Sequence, residues 1–392
     1  MNSVLISLVS VALILIVLWD AFESIVLPRR VTRRIRLTSL FYRFTWQMWS
    51  QLVRLFQTRK RREMLLGIYG PLSLLLLLIL WAIGLVLGFA LLQWSLGSQL
   101  HTAQGASNNF RTDFYMSGTT FFTLGLGDVT PQTWLARAAT VVEAGTGLGF
   151  LALIIGYLPV IFQGFSQREV NISLLDARAG TPPTAAELLR RHGRGGNVEE
   201  LNALLKDWER WAAELMESHL SYPVLCYFRS QHDNQSWISS VATILDTCAL
   251  VLVGVDGVPT WQAQLTFAIA RHAVVDISQI FNTSPRMTDT AERLSAEDLE
   301  RLRASLAADR VPLRDGAEAA QKLAQLRRMY EPYISALAEH LSMPLPPWIH
   351  AKDAVDNWQT SAWERNPQNL ATTFQGVCRG ERLARKIVAN DQ

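Results

Sequence analysis

The sequence of 392 residues has few cysteines and little that indicates a β-sheet. Its three cysteines, Cys226, Cys248 and Cys378, all lie in the second half and lack the CxxC spacing of a metal site. This odd number favours reduced thiols over a disulfide framework. Alternating apolar and polar residues, the pattern of a half-buried strand, are nearly absent. The glycine-rich run at 193–196 follows a helical pattern, so we expect no dinucleotide-binding module.

Acidic residues are missing from Arg29 to Arg62, where eleven basic residues occur. The positive-inside rule places this segment in the cytoplasm and the N-terminus outside. Leu40, Phe44 and Met48 recur there at helical spacing, which predicts an amphipathic helix on the inner leaflet that binds anionic lipid. Residues 1–165 hold 13 basic and 6 acidic side chains, and the remainder holds 24 and 28. This balance gives no indication of a nucleic-acid partner.

Three apolar runs are long enough to cross a bilayer, at 4–27, 70–96 and 134–165. The first lacks a basic start and a cleavage site, so we expect an uncleaved span rather than a signal peptide. Asp20 and Glu23 near its end are expected to reach the interface or to pair with Arg29, Arg30 or Arg33. No span carries an arginine at every third position, which argues against voltage sensing.

A short helical pattern at 112–122 leads into the run Phe121 to Thr130. The helix is too short to cross but can dip in and direct its partly negative C-terminal end at cations. Gly125 and Gly127 permit backbone conformations that other residues resist, so that successive carbonyls can face one axis. The Thr123 hydroxyl adds an oxygen at the inner end, and Asp128 can brace the outer end. The resulting lining consists of oxygen, as a dehydrated cation requires.

The sequence Thr123-Leu124-Gly125-Leu126-Gly127-Asp128 resembles the TVGYGD filter signature of tetrameric potassium channels. The resemblance extends from Gly70 to Phe165 and includes Val129-Thr130-Pro131. Leu126 stands where most members of the family have Tyr or Phe, and resembles the second pore loop of some two-pore-domain channels. The resemblance implies a homotetramer that conducts K⁺ and needs no cofactor beyond this ion.

The last apolar run contains an acidic residue, Glu143, and a glycine cluster at 145–149. By alignment with the family, Gly147 is the gating hinge, although close helix packing alone would also explain it. In the same register Leu148, Leu151 and Ile155 line the cavity below the filter. Glu143 and Thr119 are predicted to support the filter from behind. We expect Thr119, Thr120 or Ser117 to bind Glu143, with a proton sensor or permeation site as alternatives.

The second half predicts helices with recognisable N-caps at Thr184, Asn197 and Ser295. The pattern predicts amphipathic helices at 198–220, 234–252, 260–281, 295–309, 316–341 and 367–388. The expected fold class is an all-α membrane protein with three transmembrane helices, a re-entrant pore helix and filter loop, and an all-α cytosolic domain. The predicted domains are an N-terminal span (1–28), a basic interface segment (29–66), the pore domain (67–165) and the cytosolic domain (166–392).

No catalytic constellation occurs in the second half, so we do not expect an enzyme. Weak metal-ligand candidates are Glu217, His219, His232, Asp233 and Asp246, with His272 and Asp276 one turn apart. Solvated or capping roles for them are favoured because no HExxH or ExxH pair occurs. The sequence therefore predicts a potassium-selective channel subunit of the cell inner membrane whose helical domain regulates or assembles the pore. The sequence does not indicate which ligand the cytosolic domain binds. The alternatives are a weakly selective cation channel and a membrane-anchored sensor or metal-dependent domain with a non-conducting pore.

Overall fold

The computed structural model describes residues 2–27, 36–97, 100–102, 109–194, 198–232, 234–255, 257–283, 285 and 293–350. The chain forms two compact units. The first comprises Met1–Phe165 and Ser221–Phe228, and the second comprises Ser166–Leu220 and Arg229–Gln392. Both units are built from helices, and among the described residues four helices are long and apolar enough to cross a membrane. The predicted all-α membrane fold is confirmed.

The first unit begins with three helices. Helix α1 spans Asn2–Ala21 and continues as a π-helical turn at Phe22–Val26. Helix α2 spans Leu37–Arg54, and α3 spans Arg59–Ser95, so the basic residues 59–62 form the first turn of α3 rather than a separate segment.

The rest of the first unit forms a helix and loop between two strands, followed by a long helix. Strand β1 (Leu100–Thr102) precedes α4 (Phe110–Phe121), and β2 (Val129–Pro131) pairs with β1 in antiparallel register. These short strands are an element that the sequence pattern does not indicate. Helix α5 spans Trp134–Ala179, and its residues up to Phe165 belong to the first unit.

Helices α1 and α3 pack closely because α3 carries glycine at the contact. A Cβ on Gly88 would lie 2.6 Å from Ile14 Cγ1, and one on Gly84 would lie 3.1 Å from Val17 Cγ2. Without side chains at these positions the two backbones approach each other, which is how helices associate in an apolar medium.

Asp20 and Glu23 both have partners among the described residues. Asp20 is buried and accepts hydrogen bonds from the Thr38 backbone N–H (3.1 Å), the Thr38 hydroxyl (2.6 Å) and Trp81 Nε1 (3.0 Å). Glu23 accepts from Trp19 Nε1 (2.7 Å) and pairs with Arg36 (3.4 Å). The expected partners Arg29, Arg30 and Arg33 lie outside the described residues. The two carboxylates therefore join the end of α1 to the start of α2 and the middle of α3.

Helix α2 is apolar on two sides rather than one. The predicted apolar face is exposed, with Phe44 at 65%. The opposite side packs in protein, because Trp46 is buried with its ring 4.8 Å from that of Tyr69 and 5.0 Å from that of Tyr227. Trp46 therefore packs inside the protein rather than at the lipid headgroups.

The second unit contains the end of α5 and seven further helices among the described residues. These are α6 (Ala185–Arg194), α7 (Val198–Ser221), α8 (Trp237–Gly254), α9 (Trp261–Ile280), α10 (Ala296–Ala308), α11 (Ala317–Arg328) and α12 (Glu331–His340). The last residue of α7, Ser221, and a 3₁₀ turn at Pro223–Tyr227 belong to the first unit.

Helix α8 is the centre of the second unit. Every residue from Trp237 to Val253 is buried, so the helix is not amphipathic as expected. By length and composition α8 could cross a membrane. Its burial by protein on all sides instead favours a core helix. Its buried carboxylate, Asp246, is bound by both terminal nitrogens of Arg293 and by the Tyr330 hydroxyl.

The predicted N-caps are found at two of three positions. Thr184 Oγ1 accepts from the Glu187 N–H (3.2 Å), and Ser295 Oγ accepts from the Asp298 N–H (3.0 Å). Asn197 and the helix predicted at 367–388 lie outside the described residues. The single helix expected at 316–341 is divided into α11 and α12, because Pro332 in the first turn of α12 cannot continue α11.

His219 and Arg168 form a buried contact within the second unit. Arg168 Nη1 lies 3.2 Å from His219 Nε2, and Trp211 Nε1 donates to the Arg168 carbonyl (3.2 Å). Burial lowers the pKa of His219 well below its ordinary value, and the adjacent guanidinium lowers it further. Because a guanidinium only donates, Nε2 accepts and the imidazole is neutral.

We expect acid to destabilise the protein through His219. Unfolded His219 gains a proton near its ordinary pKa of about 6.5, whereas the folded ring does not, so stability falls with pH below that value. The free energy of unfolding then falls by at most about 1.4 kcal/mol for each pH unit. In detergent, the midpoint of thermal unfolding should fall less steeply for His219→Gln than for the wild type between about pH 7.5 and 5.5. The control is His272→Gln, since that side chain is 59% exposed. Equal slopes for His219→Gln and the wild type would contradict this assignment.

Candidate functional site

The loop at residues 123–128, here called the TLGLGD loop, has a backbone in which every second residue from Thr123 to Gly127 has a positive φ. Thr123, Gly125 and Gly127 have φ of 58°, 57° and 75°, in the left-handed region, and Leu124 and Leu126 between them do not. An alternation of this kind allows successive carbonyl groups to face one side of the chain. Glycine accepts positive φ freely, but a β-branched threonine does not.

Thr123 is therefore a strained position that sequence reasoning missed. A non-glycine residue held at positive φ costs on the order of 1–3 kcal/mol and persists when its surroundings impose it. The signal available in the sequence was the two-residue spacing of Gly125 and Gly127, which extends back to Thr123. The strain at Thr123 indicates that contacts with the rest of the protein hold the loop in this conformation.

The end of α4 holds the inner part of the TLGLGD loop. The Thr119 carbonyl accepts from the Leu124 N–H (2.8 Å) and the Gly125 N–H (3.4 Å), and the Thr120 carbonyl accepts from the Thr123 N–H (3.0 Å). The Thr119 hydroxyl donates to the Met116 carbonyl (2.9 Å) instead. Thr119 thus contacts the loop through its backbone.

Asp128 at the outer end is held by α4 and by the following residue. Tyr115 Oη donates to Asp128 Oδ2 (3.0 Å), and the Val129 N–H donates to Oδ1 (3.1 Å). Since Val129 begins β2, the loop is fixed at this end by a side chain and by a strand pair. Both ends of the loop are therefore attached to α4.

Gly147 of α5 lies against Phe121, the last residue of α4. A Cβ at this position would overlap the Phe121 carbonyl oxygen and lie 2.8 Å from its carbon. Gly145 and Gly149 have no such neighbour within 4 Å. The structure thus gives Gly147 a packing role at the helix end that holds the loop. The gating hinge stays a prediction.

Glu143 contacts Ser117, one of the three expected partners. Both side chains are completely buried, and Ser117 Oγ lies within hydrogen-bond distance of Glu143 Oε1 and 2.8 Å from the Val86 carbonyl oxygen. This contact joins α3, α4 and α5 at one level. Sequence reasoning did not find the Val86 carbonyl, because a backbone acceptor has no residue signature.

Gln93 makes a second polar contact between α3 and α5. Its Nε2 donates to the Ala136 carbonyl (3.1 Å) and to Thr140 Oγ1 (3.1 Å), and the side chain is buried. A polar residue near the end of an uncharged span was the available signal for this contact.

The three predicted cavity-lining residues are exposed on the protomer. Leu148 is 61% exposed, Leu151 53% and Ile155 66%. Leu148 and Leu151 line an apolar cavity of about 390 Å³ with side chains of α3 and α4, and Ile155 is not among its lining residues. A surface this apolar is suited to lipid or protein rather than water.

The weak metal-ligand candidates do not come together in the described part of the chain. No group of three or more His, Cys, Asp or Glu side chains is placed there to hold a metal ion. His219 is bound to Arg168 and Asp246 to Arg293, while His272 pairs with Asp276 (3.6 Å). Glu217 and His232 are exposed on the surface of the second unit. Asp233 lies outside the described residues.

Comparison with known proteins assigns a class to this region. Residues 74–163 match the sequence model of a family described as ion channel. The matched segment contains α4, the TLGLGD loop, Glu143 and Gly147. It supports an ion channel within the first unit.

A curated relative is similar over a longer stretch. The chain is 25% identical over 191 residues to YdjJ, an uncharacterized membrane protein of Bacillus subtilis (strain 168). The alignment covers 48% of this chain and 55% of the relative, so the chain spans about half the length of that protein. No solved structure matches.

Gly147→Ala is expected to lower stability because its methyl group would displace the end of α4. Overpacking of this kind costs about 1–3 kcal/mol. The midpoint of thermal unfolding in detergent should fall for Gly147→Ala and stay unchanged or rise for Gly149→Ala, which meets no atom within 4 Å. Equal midpoints for the two variants would contradict the packing role of Gly147.

Proposed function

We propose that the protein is the subunit of a potassium-selective channel and that the TLGLGD loop is its selectivity filter. The observation that carries the proposal is the left-handed backbone at Thr123, Gly125 and Gly127, which lies within the segment that matches the ion-channel family. A turn alone would not need three such residues in strict alternation.

Conduction in this proposal depends on backbone oxygen. The carbonyls from Thr123 to Gly127 replace the hydration shell of K⁺, the Thr123 hydroxyl adds an oxygen at the inner end, and Asp128 stabilises the mouth. The partly negative end of α4 lowers the energy of a cation next to Thr123. No cofactor beyond the permeant ion is required.

The pore is proposed to be a homotetramer. One chain supplies one TLGLGD loop, and a lining on all sides of an axis requires several copies related by rotation. The exposure of Leu124 and Leu126, both 63%, supports this, because in a single subunit the loop is open to solvent. Leu148 and Leu151 are apolar surface that neighbouring subunits would cover or that would line the central cavity.

A weakly selective cation channel is the second candidate, and Leu126 is the observation that favours it. Its side chain is 63% exposed and has no hydroxyl or ring with which to brace the loop. The two candidates share the same pore and differ in how strongly the loop prefers K⁺ over Na⁺.

The proposed location is the cell inner membrane, with the N-terminus outside and the second unit in the cytoplasm. The basic residues from Arg29 to Arg62 support this orientation. Their charge and the exposed apolar side of α2 fit contact with anionic lipid on the inner leaflet.

The second unit is proposed to bias the gate. Helix α5 supplies the inner helix of the pore unit and ends among the helices of the second unit, with Ile172 and Leu175 buried there. A rearrangement of these cytosolic helices therefore acts on the same helix that carries Gly147. A role in assembly alone would use the same attachment.

Gly125→Ala should abolish potassium flux into liposomes and leave the oligomer intact. Gly125 has φ of 57°, where a Cβ costs about 1–2 kcal/mol per residue, and a tetramer carries four copies. The loop can relieve this strain by rotating a carbonyl away from the ion. Flux is measured with a potassium gradient, and assembly by chemical cross-linking.

The control is Gly67→Ala, at a helical glycine with no neighbouring atom within 4 Å. It should conduct as the wild type does. Normal flux through Gly125→Ala would contradict the assignment of the filter.

A further inference from the structure

The contacts of Ser117 contain one proton too few if Glu143 is ionised. Ser117 Oγ lies within hydrogen-bond distance of Glu143 Oε1 and of the Val86 carbonyl oxygen. A hydroxyl donates a single proton, and an ionised carboxylate and a carbonyl both only accept. An ionised Glu143 would therefore leave one of these buried contacts as two oxygens without a proton between them.

A neutral Glu143 removes this conflict. The carboxylic acid donates to Ser117 Oγ, and Ser117 then donates to the Val86 carbonyl. Each of the two contacts contains one proton, and the chain has a defined direction from α5 through α4 to α3.

The second oxygen of Glu143 also favours the neutral form. Oε2 is buried and finds no hydrogen-bond donor among the described residues. An unpaired carbonyl oxygen of a neutral acid costs far less in a buried site than an unpaired carboxylate oxygen.

No positive charge within the described part of the chain compensates Glu143. Helix α3 has no titratable side chain from Gly70 to Ser95. On α4, Asp113 is buried one turn before Ser117. On α5, Arg137 donates to the Pro131 carbonyl (3.0 Å) and lies six residues before Glu143, on another side of the helix. Tyr157 lies nearly four turns after Glu143.

We propose that Glu143 is a neutral carboxylic acid that positions α4 through two successive hydrogen bonds. The acid donates to Ser117 Oγ, and the Ser117 hydroxyl donates to the Val86 carbonyl. Ser117 lies two residues before Thr119, whose carbonyl holds the TLGLGD loop, and Gly147 contacts Phe121 one turn after Glu143. The proton chain therefore fixes the depth of the helix that supports the loop. Its effect on conduction rests on the proposed function, whereas the protonation state does not.

The protonation state is tested by infrared spectroscopy of the full-length protein in lipid at neutral pH. The difference between wild type and Glu143→Gln should contain the C=O band of a protonated carboxyl group. In Ser117→Ala this band should shift, because the acid loses its acceptor. A difference spectrum with only carboxylate bands, or a band that Ser117→Ala leaves in place, would overturn the proposal.

The positioning role is tested by potassium flux through liposomes. Glu143→Gln keeps a donor to Ser117 and should retain most of the flux, whereas Glu143→Leu has a similar volume without a donor and should lose most of it. Wild-type flux through Glu143→Leu, or a loss in Glu143→Gln, would contradict the role. If Glu143→Leu does not assemble, Ser117→Ala decides: a loss of flux supports the proposal, and wild-type flux overturns it. A wild type without flux would count against the channel and leave the infrared result to decide the protonation state.

Discussion

The alternating backbone of the TLGLGD loop is the constraint on which the first unit depends. Three residues of six adopt the left-handed region, and Thr123 does so against the preference of a β-branched side chain. A loop of this kind does not persist alone. It is held at the inner end by the Thr119 and Thr120 carbonyls and at the outer end by Tyr115 and Asp128.

Since both supports come from α4, the position of α4 determines the position of the loop. Two contacts fix that helix in surroundings where apolar packing alone gives little direction. Gly147 lets α5 meet the carbonyl of Phe121, and Ser117 joins α4 to both α3 and α5 through Val86 and Glu143. Polar contacts also order the first helices, where Asp20 accepts from Thr38 and Trp81.

Much of this arrangement follows from local patterns in the sequence. The helices and the N-caps at Thr184 and Ser295 could be predicted because the signals lie within one element. Ser117 was among the expected partners of Glu143, because helix spacing limits which residues of α4 face α5. The partners of Asp20, the second packed side of α2 and the full burial of α8 could not be predicted. They depend on residues far away along the chain. The strain at Thr123 was missed because positive φ is not expected for a β-branched residue, although the two-residue spacing of Gly125 and Gly127 extends back to it.

We propose that the TLGLGD loop conducts K⁺ in preference to Na⁺. Ion flux through the full-length protein in liposomes measures this preference, first with a potassium gradient and then with an equal sodium gradient. We expect flux with potassium and little with sodium, because the carbonyl lining replaces the hydration shell of the larger ion. Equal flux under the two gradients would contradict potassium selectivity and identify Leu126 as the residue to change.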